Sequence, residues 1–291
     1  MSFTPWQDWP DAPDLSAPML SEILDGGQAF RWRRIEDFFE GRWGQHVVRL
    51  RPGKKTPIQL AFPHGVDHDL EIQALAQYLA LEVDFQAMTD ALPWRSDPVL
   101  KNAIQPFPGM RILRQPFAET LFCFLCSSAK QIPHIKAICE NVANNLGSQL
   151  PDGSHALPDW ETIAEAGESA LRSARLGYRA RYIHQCACFL SENPDWLHHT
   201  ERLPTNEARK RLTTLPGVGP KIADCVLLFG AGRMDAFPVD TWIAKILSRA
   251  YGLDGWSMPQ LQNFARVHFG EHSGFAQQYL FSAVRAGIIA Q

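Results

Sequence analysis

Two residues of the chain, Lys221 and Asp240, have the side chains that a nucleophile and its carboxylate partner need. A lysine amine attacks only when it is neutral, whereas an unperturbed lysine is almost fully protonated at pH 7. Desolvation and the positive end of a helix dipole favour the neutral amine, and a neighbouring carboxylate favours the ammonium. The sequence leaves that balance open. We interpret the pair as a nucleophile and the carboxylate that assists it.

The segment from 213 to 247 predicts the elements that position both residues. It reads as a helix end, a turn, a second helix that begins with proline, a loop, and a third helix capped by Asp240. Gly217 and Gly219 allow close backbone approaches, so amides of the turn can point at a phosphate. Simpler roles remain as alternatives: Lys221 as a phosphate contact and Asp240 as a helix cap.

Composition is that of a soluble globular protein, with 291 residues, 45% hydrophobic and 20% charged. No run of about 18 apolar residues predicts a membrane span. The N-terminal sequence lacks a basic region followed by an apolar one, which predicts an intracellular protein that is not secreted.

The net charge of −3 does not favour nucleic-acid binding, so local clusters of charge decide the interpretation. RSARLGYRAR (172 to 181) carries four arginines, and EARKRL (207 to 212) adds three basic residues before the turn. Such clusters are often solvated helix faces, but their position beside a phosphate-binding turn favours DNA contact.

Cysteines and histidines predict no metal site. The six cysteines lie mostly in apolar helical stretches, which favours buried reduced thiols over a disulfide framework. Cys123 and Cys126 form a CxxC spacing inside the apolar run LFCFLC, where a core helix is the better interpretation. His268 and His272 are four residues apart, but no third ligand accompanies them.

Hydrophobic periodicity predicts an α+β fold. Up to about residue 62, segments 29 to 34, 41 to 51 and 57 to 62 alternate as antiparallel strands do. Apolar residues recur at helical spacing from about residue 69 onward. We expect an N-terminal β-sheet domain, residues 1–100, packed on a mainly α-helical body, residues 101–291, with the first helices beginning near 69. Further helices are predicted near 84–92, 97–104, 117–130, 168–176, 179–191, 205–214, 220–230, 241–251, 258–269 and 275–288.

Five segments resemble the helix-hairpin-helix DNA glycosylases and, within them, the 8-oxoguanine DNA glycosylase family. The central match is LPGVGPKIADC, followed by PVD. The others, in chain order, are GGQAFRWR (26 to 33), LFCFLCSS (121 to 128), LGYRARY (176 to 182) and GFAQQYLFSA (274 to 283). The resemblance covers nearly the whole chain.

The resemblance implies a bifunctional glycosylase and abasic-site lyase that acts as a monomer on duplex DNA containing 8-oxoguanine. Lys221 would attack the sugar C1′ and form a Schiff base, while Asp240 would stabilise the positive charge on the sugar. The target base must be flipped out of the duplex to reach the amine. No cofactor is implied, although helix-hairpin-helix turns in some proteins hold a structural monovalent or divalent cation.

Further site residues also follow from the resemblance. The carbonyl of Gly27 would accept the proton on N7 of 8-oxoguanine, which guanine lacks. The residues implied to bind the base are Gly27, Cys225, Pro238, Gln277 and Phe281, with Cys225 and Phe281 on its two faces and Gln277 at its edge. Those implied to contact DNA are Tyr178 as the wedge in the vacated space, Arg179, His134, Gly217 and Gly219.

The sequence departs from the family pattern at two places. Where eukaryotic members read the opposite cytosine with an asparagine and two arginines, this chain has Ala129, His134 and Arg179, which predicts a relaxed opposite-base preference. Trp242 and Val284 stand where the family often has a histidine and an aspartate.

Rival functions differ in features that the sequence can test. Endonuclease III-like and adenine glycosylases usually carry four clustered cysteines for an iron–sulfur cluster near the C-terminus, but no cysteine follows Cys225, so no such cluster is expected. A 3-methyladenine type would lack Lys221. A noncatalytic helix-hairpin-helix DNA-binding module remains the alternative from another class.

Overall fold

The protein, described here from a computed structural model for residues 2–128 and 130–289, has a β-sheet near its N-terminus followed mainly by helices. The strands are β1 (Gln7–Asp8), β2 (Trp32–Ile35), β3 (Phe38–Trp43), β4 (His46–Pro52) and β5 (Ile58–Ala61). The first helices are α1 (Ala17–Asp25), α2 (His68–Tyr78), α3 (Phe85–Ala91), α4 (Pro98–Ile104), α5 (Phe117–Cys126), α6 (Ile132–Leu146) and α7 (Trp160–Ser173). They are followed by α8 (Arg179–Glu192), α9 (Trp196–Arg202), α10 (Thr205–Leu212), α11 (Pro220–Phe229), α12 (Thr241–Ala250), α13 (Met258–Phe269), a 3₁₀ turn (Gly270–His272) and α14 (Ser273–Arg285).

The strands form one antiparallel sheet in the order β1-β5-β4-β3-β2, which confirms the predicted α+β class. The segment 41 to 51, predicted as one strand, instead contributes to both β3 and β4. A two-residue turn separates them where Gly44 has a φ of +52°, a value that glycine adopts without strain.

Trp32 anchors β2 to the rest of the N-terminal region. Its indole lies over Gly41 on β3, where a Cβ would come within 2.4 Å of the ring. The indole nitrogen donates to the Tyr78 hydroxyl on α2 at 3.0 Å. The sheet and the helices thus share buried aromatic contacts, and one large continuous core joins them. A separate small cluster contains Val47, Leu150 and Ala156.

Helix α1 lies inside the stretch that the sequence predicted to be β-rich. Ser16 caps it by accepting from the Met19 amide, and Leu20 and Leu24, four residues apart, are buried. The N-cap and the helical spacing of these apolar residues therefore make residues 17–25 a helix, although the strand pattern begins soon after them. Helix α9 and the two-residue strand β1 were also not predicted.

Helix α5 packs directly on α11, which brings the two central apolar segments together. The rings of Phe124 and Phe229 stack at 5.5 Å with an interplanar angle of 13°. The helix ends at Cys126, earlier than the predicted residue 130, because Ser127 donates its hydroxyl to the Phe124 carbonyl at 2.7 Å. Within the described residues, no helix is both long enough and apolar enough to cross a bilayer.

Candidate active site

A cavity of about 740 Å³ brings together residues from six separate segments of the chain. Lys221 and Asp240 line it, and so do Gly27 from the turn before β2 and Phe281 from α14. Its volume is within the range of small-molecule sites in proteins. Other lining residues are Ser127, Ser128, Lys130, Ile132, Trp242 and Met258.

Lys221 lies in the first turn of α11, and its amine faces α5. The Nζ atom donates to the Ser127 hydroxyl at 3.2 Å and lies 5.2 Å from the centre of the Phe124 ring. The Lys221 side chain is thus held by one polar and one aromatic contact at the cavity wall. Such contacts restrict the rotamers from which the amine could attack a ligand.

Asp240 is the N-cap of α12, as predicted. Its Oδ1 atom accepts from the Trp242 and Ile243 amides at 3.0 and 2.8 Å. Because the same side chain lines the cavity, the cap and a role in chemistry are compatible. Capping fixes the Asp240 carboxylate at the start of the helix through its Oδ1 atom. The Oδ2 atom can still accept from a ligand.

The turn from 217 to 219 connects α10 with α11. Gly217 has a φ of +79°, and a Cβ at this residue would lie 3.0 Å from the Cβ of Tyr182 on α8. By contrast, a Cβ on Gly219 would meet no atom within 4 Å, so the start of α11 faces open space. The first amides of a helix lack intrahelical partners, and here they are accessible to an anion.

Helix α11 is fixed by buried polar contacts behind Lys221. The Arg209 guanidinium donates to the buried Asp224 carboxylate, and the Gln262 amide donates to its other oxygen at 3.2 Å. Burial nevertheless raises the pKa of Asp224 to about 6. These contacts tie α11 to α10 and α13, so the helix that carries the amine is held on two sides.

Cys225 lies one helical turn after Lys221 and is buried. Burial raises the pKa of its thiol to about 11, although the neighbouring Lys221 ammonium acts in the opposite direction. A thiol with this pKa is neutral at physiological pH. In the described part of the chain, Cys225 does not belong to the lining of the cavity.

Gly27 lies between α6 and α14 with a φ of +107°. A Cβ there would come within 2.9 Å of Ile132 Cδ1 and 3.6 Å of Phe281 Cε1. Glycine is therefore required both by the backbone angle and by the narrow space. Gln28 holds the turn in place because its side-chain amide bonds the Arg111 carbonyl at 2.9 Å and the Leu113 amide at 3.0 Å.

Gln277 and Phe281 lie four residues apart on one face of α14. Phe281 reaches the cavity, whereas Gln277 is buried and its Oε1 atom has no hydrogen-bond partner among the described residues. An unpaired buried acceptor is costly, so a donor on a ligand would stabilise it. Pro238, two residues before Asp240, is buried and does not reach the described lining of the cavity.

Tyr178 precedes α8 and is 55% exposed. Arg179 is buried beneath it, with its guanidinium 4.4 Å from the Tyr178 ring centre and donating to the Ser128 carbonyl. His134 is exposed in the first turn of α6. Ala129 lies outside the described residues. Arg179 would have to exchange its contact with Ser128 before it could read a base.

The two departures from the family pattern occupy different environments. Trp242 is 38% exposed at the cavity mouth, and Val284 is buried on α14. Among residues 2–128 and 130–289, no group of three or more His, Cys, Asp or Glu side chains is placed to hold a metal ion.

Three contacts of the site were not foreseen from the sequence. Ser127 bonds Lys221, Tyr182 packs against the Gly217 turn, and the Cys186 thiol donates to the Pro216 carbonyl at 3.1 Å. Ser127 and Tyr182 lie inside segments that carry the family resemblance, so the resemblance was a sequence signal that both residues lie near the site. Nothing in the sequence pairs Cys186 with the turn.

Replacing Ser127 by alanine tests whether its hydroxyl positions the amine. The variant removes one side-chain hydrogen bond, and such bonds contribute about 0.5–1.5 kcal/mol. We expect the reaction that the resemblance implies to slow by about threefold to tenfold in a single-turnover assay, with a small fall in melting temperature. Ser128→Ala, at the adjacent lining residue, is the matched control, and an equal loss in both variants would contradict a specific role for Ser127.

Comparisons with known proteins identify the family of both halves of the chain. Residues 14–121 match the 8-oxoguanine DNA glycosylase N-terminal domain, and residues 123–267 match the HhH-GPD superfamily of base excision DNA repair proteins. The chain is 32% identical to N-glycosylase/DNA lyase OGG1 of Arabidopsis thaliana, over 88% of this chain and 74% of the relative. It is 30% identical to the N-glycosylase/DNA lyase of Saccharomyces cerevisiae, over 80% and 68% of the two chains.

A solved structure extends the similarity to the fold. The 8-oxoguanine glycosylase/lyase of Clostridium acetobutylicum, in complex with double-stranded DNA containing cytosine opposite 8-oxoguanine, superposes with a TM-score of 0.85. The two are 31% identical, and the match covers 93% of this chain and 92% of that chain. The protein therefore belongs to the 8-oxoguanine DNA glycosylase family.

Proposed function

We propose that this protein removes 8-oxoguanine from duplex DNA and then cleaves the strand at the abasic site. The observation that carries the proposal is the shared cavity, in which Lys221 and Asp240 lie beside Gly27 and Phe281. A nucleophile, a carboxylate, a backbone acceptor and an aromatic ring are the groups that this reaction needs.

The reaction begins with attack of the neutral Lys221 amine on the sugar C1′. The bond from C1′ to the base nitrogen breaks, and the base leaves with the electron pair and is then protonated. Asp240 stabilises the positive charge that develops on the sugar. The attached amine loses one proton, and its lone pair forms the C1′=N bond of the Schiff base as the C1′–O4′ bond breaks and O4′ takes up a proton. Removal of a C2′ proton then expels the 3′ phosphate by β-elimination.

Selection of the lesion rests on Gly27 in this proposal. The oxidised base carries a proton on N7, whereas guanine has a lone pair there. The Gly27 carbonyl oxygen therefore accepts a hydrogen bond from 8-oxoguanine and is repelled by the lone pair of guanine. Phe281 supplies stacking worth roughly 1–3 kcal/mol, which does not distinguish the two bases. Gln277, whose buried Oε1 atom has no hydrogen-bond partner among the residues that the structure describes, would accept a hydrogen bond from the base edge.

Two of the base contacts need movement on binding. Cys225 lies under Lys221 and would reach the base only after the lysine side chain moves aside. Pro238 would contribute through the loop that it shapes before Asp240, since its own side chain is buried.

DNA contacts in this proposal lie on the surface near the turn. Tyr178 is the exposed ring that would enter the duplex, and the open start of α11 at Gly219 would bind a phosphate. The optional structural cation would also be held at this turn. Tyr182, 40% exposed and packed on Gly217, extends the same surface.

Borohydride trapping tests the proposed reaction. The protein is incubated with a duplex containing one 8-oxoguanine, and reduction of the Schiff base should give a covalent adduct on a denaturing gel. An unmodified duplex is the control and should give none. Binding to both duplexes without any adduct would identify a noncatalytic DNA-binding module and overturn the proposal.

We also predict a relaxed preference for the base opposite the lesion. His134 is a weaker donor than arginine, and the Arg179 guanidinium is bound to the Ser128 carbonyl. Excision opposite adenine should therefore be within about tenfold of excision opposite cytosine, since few donors are left to read cytosine. The measurement is single-turnover excision opposite all four bases. His134→Arg should increase the preference for cytosine, and strong cytosine selection in the wild type would contradict the prediction.

A further inference from the structure

Two carboxylates of α1, shortly before the Gly26–Gly27 turn, form ion pairs that attach this end of the helix to two different helices. On one side, Glu22 of α1 accepts from the Ser282 hydroxyl at 2.6 Å and pairs with Arg285, both on α14. On the other side, Asp25 pairs with Lys136 on α6 at 2.5 Å. The end of α1 that leads into the turn is thus linked by ion pairs to α6 and to α14.

Each ion pair lies one helical turn from an apolar contact with Gly27. On α14, Arg285 is four residues after Phe281, and on α6, Lys136 is four residues after Ile132. Residues four apart share a helix face. The helices that confine Gly27 by packing are therefore the same two helices that hold its flanking carboxylates.

The Glu22 side chain also touches the turn directly. A Cβ on Gly26 would lie only 2.7 Å from the Glu22 Oε1 atom, so the carboxylate covers this glycine. Glu22 is the more shielded acid of the two, with 11% of its side chain exposed against 30% for Asp25. Shielded pairs are screened less by water and salt, and we expect Glu22 to have the larger effect.

We propose that Glu22, with Asp25 in support, is a positioning residue that sets the distance between the Gly27 carbonyl and Phe281 and thereby governs lesion recognition. This inference rests on the proposed function, in which Gly27 reads N7. Lys221 and Asp240 lie on α11 and α12, and neither helix carries a partner of Glu22 or Asp25. Loosening the turn should therefore impair base removal and spare the lyase step.

The test compares two substrates for the variants Glu22→Ala and Glu22→Gln. Excision is measured on a duplex with 8-oxoguanine, and strand cleavage is measured on a duplex with a preformed abasic site, which needs no base recognition. We expect Glu22→Ala to slow excision by about tenfold, because small displacements of positioning groups are costly, with cleavage within about twofold of wild type. Glu22→Gln keeps an oxygen that accepts from the Ser282 hydroxyl, so its excision rate should lie between those of the wild type and Glu22→Ala.

Two further variants separate positioning from general destabilisation. Glu165→Ala removes an exposed glutamate from α7 and should leave both rates unchanged. Asp25→Ala removes the more exposed ion pair with Lys136, which is not among the described lining residues of the cavity, and should slow excision less than Glu22→Ala does.

The outcomes distinguish this inference from the proposed function. Wild-type excision rates in both Glu22 variants, or a parallel loss of excision and abasic-site cleavage, would overturn the positioning role while leaving the reaction intact. A wild-type protein inactive on both duplexes would overturn the proposed function and this inference together.

Discussion

Replacement of Lys221 by glutamine is expected to abolish the borohydride-trapped adduct and to slow base excision by on the order of 10³-fold or more. An amide nitrogen is not a nucleophile and forms no Schiff base, so both proposed steps lose their reacting atom. Lys221 is only partly buried, and its amine donates a hydrogen bond to the Ser127 hydroxyl. The variant should therefore keep its fold, as measured by thermal melting, and still bind the lesion duplex.

Lys210→Gln is the matched control for this substitution. Lys210 is exposed on α10, shortly before the turn, so its replacement removes the same charge from the same region. If both variants lost excision equally, charge on the DNA-binding surface would explain the result. If an adduct persisted in Lys221→Gln, the attacking amine would be elsewhere, and Lys130, which also lines the cavity, would be the next residue to replace.

Local sequence signals predicted those parts of the site that depend on nearby residues. The turn at Gly217 and Gly219, the helix that begins at Pro220 and the cap at Asp240 are each specified by backbone requirements within a few positions. The structure places these elements close to their expected bounds. The α+β class was predictable for a similar reason, since it follows from hydrophobic periodicity.

Contacts between distant parts of the chain could not be predicted in this way. Ser127 and Lys221 are 94 positions apart, and Glu22 and Ser282 are 260 positions apart. Such pairs depend on how α5 packs on α11 and how α1 packs on α14, which no local pattern specifies. The family resemblance named residues on both sides of the cavity, but it did not supply the contacts that hold them.

The residues that the resemblance assigns to base binding do not all line the cavity. Gly27 and Phe281 line it, whereas Cys225 and Gln277 are buried and are not among its described lining residues. The proposed importance of Ser127 follows from this placement, because its hydroxyl holds the Lys221 amine at the cavity wall before a base arrives.

Replacement of Asp240 by asparagine separates the two roles of this residue. Asparagine and aspartate are nearly equivalent helix caps, so the hydrogen bonds to the Trp242 and Ile243 amides should remain. The negative charge is lost, and with it the proposed stabilisation of the developing positive charge on the sugar. We expect base excision to fall roughly a hundredfold to a thousandfold, a size typical of losing one preorganised electrostatic group, with little change in melting temperature.

Asp159→Asn provides the same chemical change at a cap outside the cavity. Asp159 begins α7 and accepts from the Thr162 amide at 2.8 Å. Its replacement should leave both excision and melting temperature close to wild type. Asp240→Ala, by contrast, removes cap and charge together, and losing a cap costs about 0.5–2 kcal/mol of stability. If Asp240→Asn excised 8-oxoguanine as fast as Asp159→Asn, Asp240 would serve only as a cap, and the charge on the sugar would have to be stabilised by another group.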